Sequence, residues 1–144
     1  MIETKILLID DEKDFVSALE KRLSKRGMKV RATYSGEQGL TSLKEDPDTD
    51  VVLLDVKMPG MDGISTLREI KKLYPLVEVV MLTGHGTVES AIEGMKVGAF
   101  DFLMKPCELE ELVSKVDEAK KKRRSHLDKI IQAAGKELRS RIGR

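Results

Sequence analysis

The chain has 144 residues, 40% hydrophobic and 35% charged, which gives room for one compact domain with a short appendage and not for two independent domains. Its single cysteine, Cys107, excludes an internal disulfide, and with His85 and His126 as the two imidazoles no cluster has zinc-site spacing. No apolar stretch approaches the ~20 residues of a membrane span, and the N-terminus lacks the basic and apolar regions of a secretory signal, so a cytoplasmic protein without a transmembrane segment is expected.

Lys5 to Ile9 is a short aliphatic run that stops at Asp10-Asp11. Phe15, Val16, Leu19 and Leu23 then follow helical spacing up to Gly27, a residue suited to ending a helix. A second run covers Met28 to Thr33, after which Ser35 is placed to cap a helix carrying Leu40 and Leu43 before Pro47. The third run, Asp50 to Leu54, ends at Asp55 and is followed by the stripe Ile64, Leu67, Ile70 and Leu73, closed by Tyr74-Pro75. The fourth, Val77 to Leu82, leads through Thr83 to the stripe Val88, Ala91, Ile92 and Met95. The fifth, Phe100 to Met104, precedes Lys105-Pro106 and the stripe Leu109, Leu112, Val113 and Val116. Runs of this length without strict alternation predict strands buried on both faces, and their regular alternation with helices predicts an α/β domain with a parallel sheet.

Charge divides the chain unevenly. Residues 1–119 carry 16 Lys and Arg against 23 Asp and Glu, whereas residues 120–144 carry 10 against 2, net −7 against net +8. A domain over 1–120 followed by a basic tail over 121–144 is expected, with too little chain left for an output domain. In the tail Ser125 and Asp128 resemble a capping box, and Leu127, Ile130, Ile131, Ala134 and Leu138 share one face of an amphipathic helix over 126–142, interrupted at Gly135. A helix-turn-helix does not fit in it and it has no aromatic side chain to stack on single strands, so no direct nucleic-acid binding is expected. Protein contacts, with the domain itself, a second copy in a homodimer, or a downstream partner, are favoured over a lipid surface because no large aromatic anchors the apolar face.

In open parallel sheets ligands bind outside the carboxyl ends of the strands. Those positions hold Asp10, Asp11, Asp55, Thr83 and Lys105. Taken singly, each has a bland reading: aspartates there serve as turn or helix-cap residues, and Thr83-Gly84 as turn chemistry. Taken together, three carboxylates on one edge repel one another unless a cation lies among them, and an all-oxygen set suits Mg²⁺. A metal, an ammonium and a hydroxyl around one carboxylate can neutralise a phosphoryl group, with Asp55 as the nucleophile.

The segments ILLIDDE (Ile6 to Glu12), VVLLDVKMPGMDG (Val51 to Gly63), VVMLTGHG (Val79 to Gly86) and GAFDFLMKP (Gly98 to Pro106) resemble the signature blocks of the bacterial response-regulator receiver domain, over roughly residues 3–120. The resemblance implies a flavodoxin-like, doubly wound (βα)5 sheet of strand order 2-1-3-4-5, here with a C-terminal helical extension. It implies Asp55 as phospho-acceptor, with Mg²⁺ held by Asp11, Asp55 and the carbonyl of Lys57, and by Asp10 largely through water. Thr83 matches the hydroxyl residue that moves to the phosphoryl group, Lys105 the lysine that pairs with it, Pro106 the cis-proline, and Phe102 the aromatic switch. The implied partner is a sensor histidine kinase or phosphotransfer protein. The implied readout is a repacked face of fourth helix, fifth strand and fifth helix. The TGHGT segment resembles receivers attached to transcriptional activators, so a truncation upstream of an output domain is also compatible with the chain.

Such a domain catalyses only its own phosphorylation and dephosphorylation and is not an enzyme on an external substrate. An aspartyl-phosphate phosphohydrolase is disfavoured by Lys57, where those enzymes carry a second acid, and a dinucleotide fingerprint by Glu89 in place of its third glycine. A flavodoxin is disfavoured by the absence of tryptophan and the presence of only two tyrosines to stack on a flavin. Lys57 and His85, each two residues past a site residue, are expected to flank the path of water, and Cys107 is expected to be passive.

Overall fold

The computed structural model describes residues 3–58, 61–84 and 87–143. Its five strands are β1 (Lys5–Ile9), β2 (Lys29–Thr33), β3 (Val51–Leu54), β4 (Glu78–Thr83) and β5 (Asp101–Met104), all paired in parallel in the order β2-β1-β3-β4-β5. The helices are α1 (Lys13–Lys25), α2 (Gly36–Glu45), α3 (Gly63–Leu73), α4 (Val88–Val97) and α5 (Leu109–Ile142). The expectation of strands buried on both faces holds for β3 and β4, and for β1 beyond Lys5. It fails for β2 and β5, which lie at the sheet edges and are only half-covered.

Alternation of side chains along each strand sends two apolar layers to opposite faces. Ile6, Leu8, Leu53, Val80 and Leu82 pack against Val16, Leu19 and Leu23 of α1 and Leu112, Val116 and Ala119 of α5. Leu7, Ile9, Val52, Leu54 and Met81 pack against Leu43 of α2 and Leu67 and Ile70 of α3. Each fully buried aliphatic side chain contributes on the order of 2 kcal/mol of transfer free energy. The α4 stripe behaves differently: Val88, Ile92 and Met95 are exposed, and Gly94 is the buried residue of that helix.

Local chemistry sets the helix ends. Gly27, at φ +82°, ends α1 by donating to the Ser24 carbonyl while Met28 donates back to that of Leu23, the paired bonds of a Schellman motif. Ser35 accepts from the Gln38 amide at 3.1 Å and starts α2 as its spacing suggests. Thr87 and Ser90 form a reciprocal capping box at the start of α4.

The basic segment departs most from expectation. Residues 109–142 form one unbroken helix of 34 residues, so Ser125 is an interior residue and not a cap, and Gly135 interrupts nothing. The charge break at Lys120 is not a structural break, because Lys122, Arg123 and Arg124 just after it are anchored to the amino-terminal edge of the sheet. Asp50, 2% exposed and just before β3, accepts from Arg123 at 3.3 Å, from Arg124 at 3.3 and 3.0 Å, and from the Lys5 amide at 2.9 Å. Glu78, at the start of β4, lies 3.7 Å from the Lys71 ammonium and 3.5 Å from that of Lys122. Three of the clustered cations thus meet buried acids, while Lys121, Lys129, Lys136, Arg139 and Arg141 remain exposed.

Candidate functional site

The carboxyl ends of β1 and β3 are adjacent in the sheet, with Ile9 opposite Leu54, so the residues that follow them meet by register. Asp10, Asp11 and Asp55 each present an oxygen within 4.8 Å of the others. Asp10 and Asp55 are 4% and 1% exposed, while Asp11 lies at the rim. Neither Asp10 nor Asp11 is the N-cap of α1, a place taken by Glu12 without a side-chain cap bond. Asp10 instead turns its Oδ1 back to accept the Glu12 amide at 2.9 Å.

Behind Asp55 the chain is held close. The Gly63 amide donates to the Val56 carbonyl at 2.7 Å, and a Cβ at Gly63 would collide with the Asp55 carbonyl oxygen, so only glycine lets α3 begin there. The Lys57 amide lies 3.4 Å from Asp55 Oδ1. Thr83, fully buried, ends β4, and the neighbouring β5 runs to Met104 opposite it. The Lys105 amide donates to the Thr83 carbonyl at 2.9 Å, which carries the Lys105 side chain onto the same edge, and the Lys105–Pro106 peptide is cis. Phe102 is half-buried against the α2/α3 layer, opposite Met81. His85 and Gly86 lie outside the described residues.

The Lys105 ammonium lies 2.6 Å from Asp10 Oδ2, 3.2 Å from Glu12 and 4.0 Å from Asp55. Burial pushes the Asp10 carboxyl above its ordinary value, more than the hydrogen bonds from Lys105 and the Glu12 amide hold it down, and the Asp55 charge adds to the rise. Burial alone would lower the Lys105 ammonium, but its bonds to Asp10 and Glu12 and the Asp55 charge outweigh it, so its affinity for the proton is raised. Among the described residues the pocket gathers Asp10, Asp11, Glu12 and Asp55 with the one ammonium of Lys105, so anions outnumber cations. Such a pocket accepts a hard cation among its oxygens, and an acidic triad of this kind is typical of the Mg²⁺ site of receiver domains. The Cys107 thiol is raised by burial and by Glu111, which opposes thiolate chemistry.

The spacing of strand-end residues points to the triad, Thr83 and Lys105. It does not reveal Glu12 as a second partner of Lys105, nor Phe15, whose ring centroid lies 4.0 Å from the Lys105 ammonium. Phe15 reads in sequence as one more core position of α1.

Comparison with known proteins agrees with this geometry. Transcriptional regulatory protein ZraR of Escherichia coli K12 is 40% identical over 114 residues, covering 79% of this chain and 26% of ZraR. The DNA-binding transcriptional regulator NtrC of Klebsiella pneumoniae is 36% identical over 112 residues, covering 78% and 24%. The chain therefore spans about a quarter of the length of these curated relatives. A crystal structure of a response regulator receiver domain protein from Clostridium thermocellum superposes with a TM-score of 0.80 at 38% identity, covering 84% of this chain and 97% of the other. Residues 6–117 match the response regulator receiver domain, and the chain belongs to that CheY-like family of two-component signalling, homologous to NtrC-family regulators and not a family of enzymes acting on external substrates.

Proposed function

We propose that the protein is a phosphorylation-dependent switch in which Asp55 accepts a phosphoryl group from a histidine of a partner kinase or phosphotransfer protein. The observation that carries this reading is the triad of buried Asp10 and Asp55 with Asp11 at the rim, beside the Lys105 ammonium. The phosphorus–nitrogen bond to the donor histidine breaks as a carboxylate oxygen of Asp55 bonds to phosphorus. Asp10, Asp11, Asp55 and the Lys57 carbonyl would hold Mg²⁺, which when bound offsets charge on the transferring oxygens. Lys105 supplies the protein's own positive charge to the same oxygens.

Thr83 and Phe102 are the readout in this proposal. A phosphoryl group on Asp55 gives the Thr83 hydroxyl a new acceptor, and Phe102 turns further inward, shifting the population of the α4–β5–α5 face. That face already exposes Val88, Ile92, Met95 and Met104, which suits a downstream protein partner or a second copy of the chain. The proposed division assigns the switch to residues 1–120 and partner contact to the α5 extension over 121–144. Among the described residues no helix is long and apolar enough to cross a membrane, in keeping with a proposed cytoplasmic site of action.

The test is incubation of the protein with Mg²⁺ and acetyl phosphate, followed by intact mass. One labile phosphoryl adduct is expected, absent in Asp55→Asn and absent without metal. A protein that stays folded yet gains no mass from acetyl phosphate or from a histidine kinase would overturn the acceptor assignment.

A further inference from the structure

The ammonium of Lys105 has an aromatic neighbour as well as its carboxylate partners. Its charge lies 4.0 Å from the centroid of the Phe15 ring, well inside the reach of a cation–π contact, and the lysine side chain is only 10% exposed. Phe15 belongs to α1, one turn beyond Asp10-Asp11, and packs at the margin of the α1/α5 apolar layer. The ring stands between two spaces. On one side is the small cavity it lines with Asp10 and Asp55, and on the other a groove of about 300 Å³ between α1 and α5, lined also by Arg22, Pro106 and Cys107. It lines both spaces, the first of them mostly apolar, while offering the ammonium a face of negative potential.

We infer that Phe15 is a positioning residue for the reaction, holding the Lys105 ammonium over its ring so that the lysine can pass from Asp10 to an incoming phosphoryl group. This inference rests on the reading of Asp55 as phospho-acceptor. The chemistry asks Lys105 to change partners: it lies 2.6 Å from Asp10 but 4.0 Å from Asp55. A carboxylate on the apolar side would pin the ammonium by a directional hydrogen bond. An aromatic face attracts the same charge without claiming one of its three N–H donors, so the attraction persists as those donors turn from Asp10 towards phosphoryl oxygens. A leucine of similar bulk would fill the space and keep water out, yet leave the charge unattracted on that side.

Two measurements on the full chain test this. In proton NMR the Lys105 ε-methylene resonances, identified by their loss in Lys105→Arg, are expected upfield of the other lysines, and Phe15→Leu should return them to the common position. With Mg²⁺ and acetyl phosphate, Phe15→Leu should slow formation of the Asp55 adduct about fivefold, the effect of a partly desolvated cation–π contact, while Phe15→Tyr restores the rate. In a Lys105→Met background Phe15→Leu should have no further effect, which a merely structural loss would not reproduce. Equal slowing with and without Lys105, an unchanged rate in Phe15→Leu, or an unshifted lysine resonance would each overturn the inference. A wild type that gains no phosphoryl group would overturn the acceptor reading and this inference with it, and is told apart because the loss then appears before any substitution.

Discussion

Asp50 at the amino-terminal edge of the sheet and the Asp10–Asp55 pair at its carboxyl-terminal edge are buried acids handled in opposite ways, with Glu78 between these extremes, held by ion pairs of 3.5 and 3.7 Å. At the amino-terminal edge Asp50 is saturated, with two guanidinium groups and a backbone amide on its two oxygens. At the carboxyl-terminal edge Asp10 and Asp55 share one ammonium, which Glu12 also draws on. The first arrangement is closed and can only hold structure. The second is left short of positive charge, and that shortage is what would let it take up a cation and, in the proposed function, a phosphoryl group. Position relative to the strand ends separates the two arrangements, since identical aspartates on the same sheet form a clamp at one end and the proposed phospho-acceptor site at the other.

The comparison breaks most visibly at Asp50. Asp50→Ala leaves the buried Arg123, among the described residues, with the exposed Asp48 as its remaining acid partner, and removing one partner of a buried ion pair destabilises by about 3 kcal/mol. Urea unfolding should show a lower midpoint at unchanged slope, and amide exchange should quicken along the second half of α5.

At the other edge the expected sign reverses. Asp55→Asn removes one of the crowded carboxylates and in metal-free buffer should raise stability by about 1 kcal/mol, as reactive sites commonly trade stability for chemistry. Mg²⁺ should then stabilise the wild type by about 2.7 kcal/mol at a hundredfold excess over its dissociation constant and the variant hardly at all. Thermal melts with and without metal check both, and a destabilised Asp55→Asn would show that the site is not under strain from its charges.

These expectations also show what the sequence made legible. The runs Lys5 to Ile9, Asp50 to Leu54 and Val77 to Leu82 are legible as strands because burial on two faces demands mostly aliphatic residues, and once they are strands the residues that follow them are Asp10, Asp55 and Thr83. The opposite edge is silent, because Asp50 and Arg123 are 73 residues apart and nothing local marks either as buried. The run Lys120 to Arg124 reads as a solvated tail for the same reason: Lys122, Arg123 and Arg124 find their partners in Glu78 and Asp50 at strand starts, and only the folded sheet brings these under α5. Phe15 satisfies the apolar period of α1, so its use of a ring where any hydrophobe would pack is invisible until Lys105 is seen beside it.

The smallest effect sharpens the contrast at the surface. The Asp46 carboxyl is held below its ordinary value of 3.8 mainly by its hydrogen bond from the Lys5 ammonium, with burial opposing. A depressed acid stabilises the fold above its unfolded pKa and loses that contribution as pH falls through the folded one. Asp46→Asn should therefore cost under about 1 kcal/mol at neutral pH, the range of a solvent-screened pair. The gap from wild type should hold at pH 5 and close below pH ~4 in a pH series of urea melts.

The unbroken α5 turns the closed edge into a fulcrum. Beyond Arg124 the helix continues to Ile142, roughly 27 Å at 1.5 Å per residue. A rod of that length pivoting by about 10° on its anchor sweeps its far end through roughly 5 Å, so a shift at the pivot too small to break any ion pair would be magnified at Leu138 and Ile142.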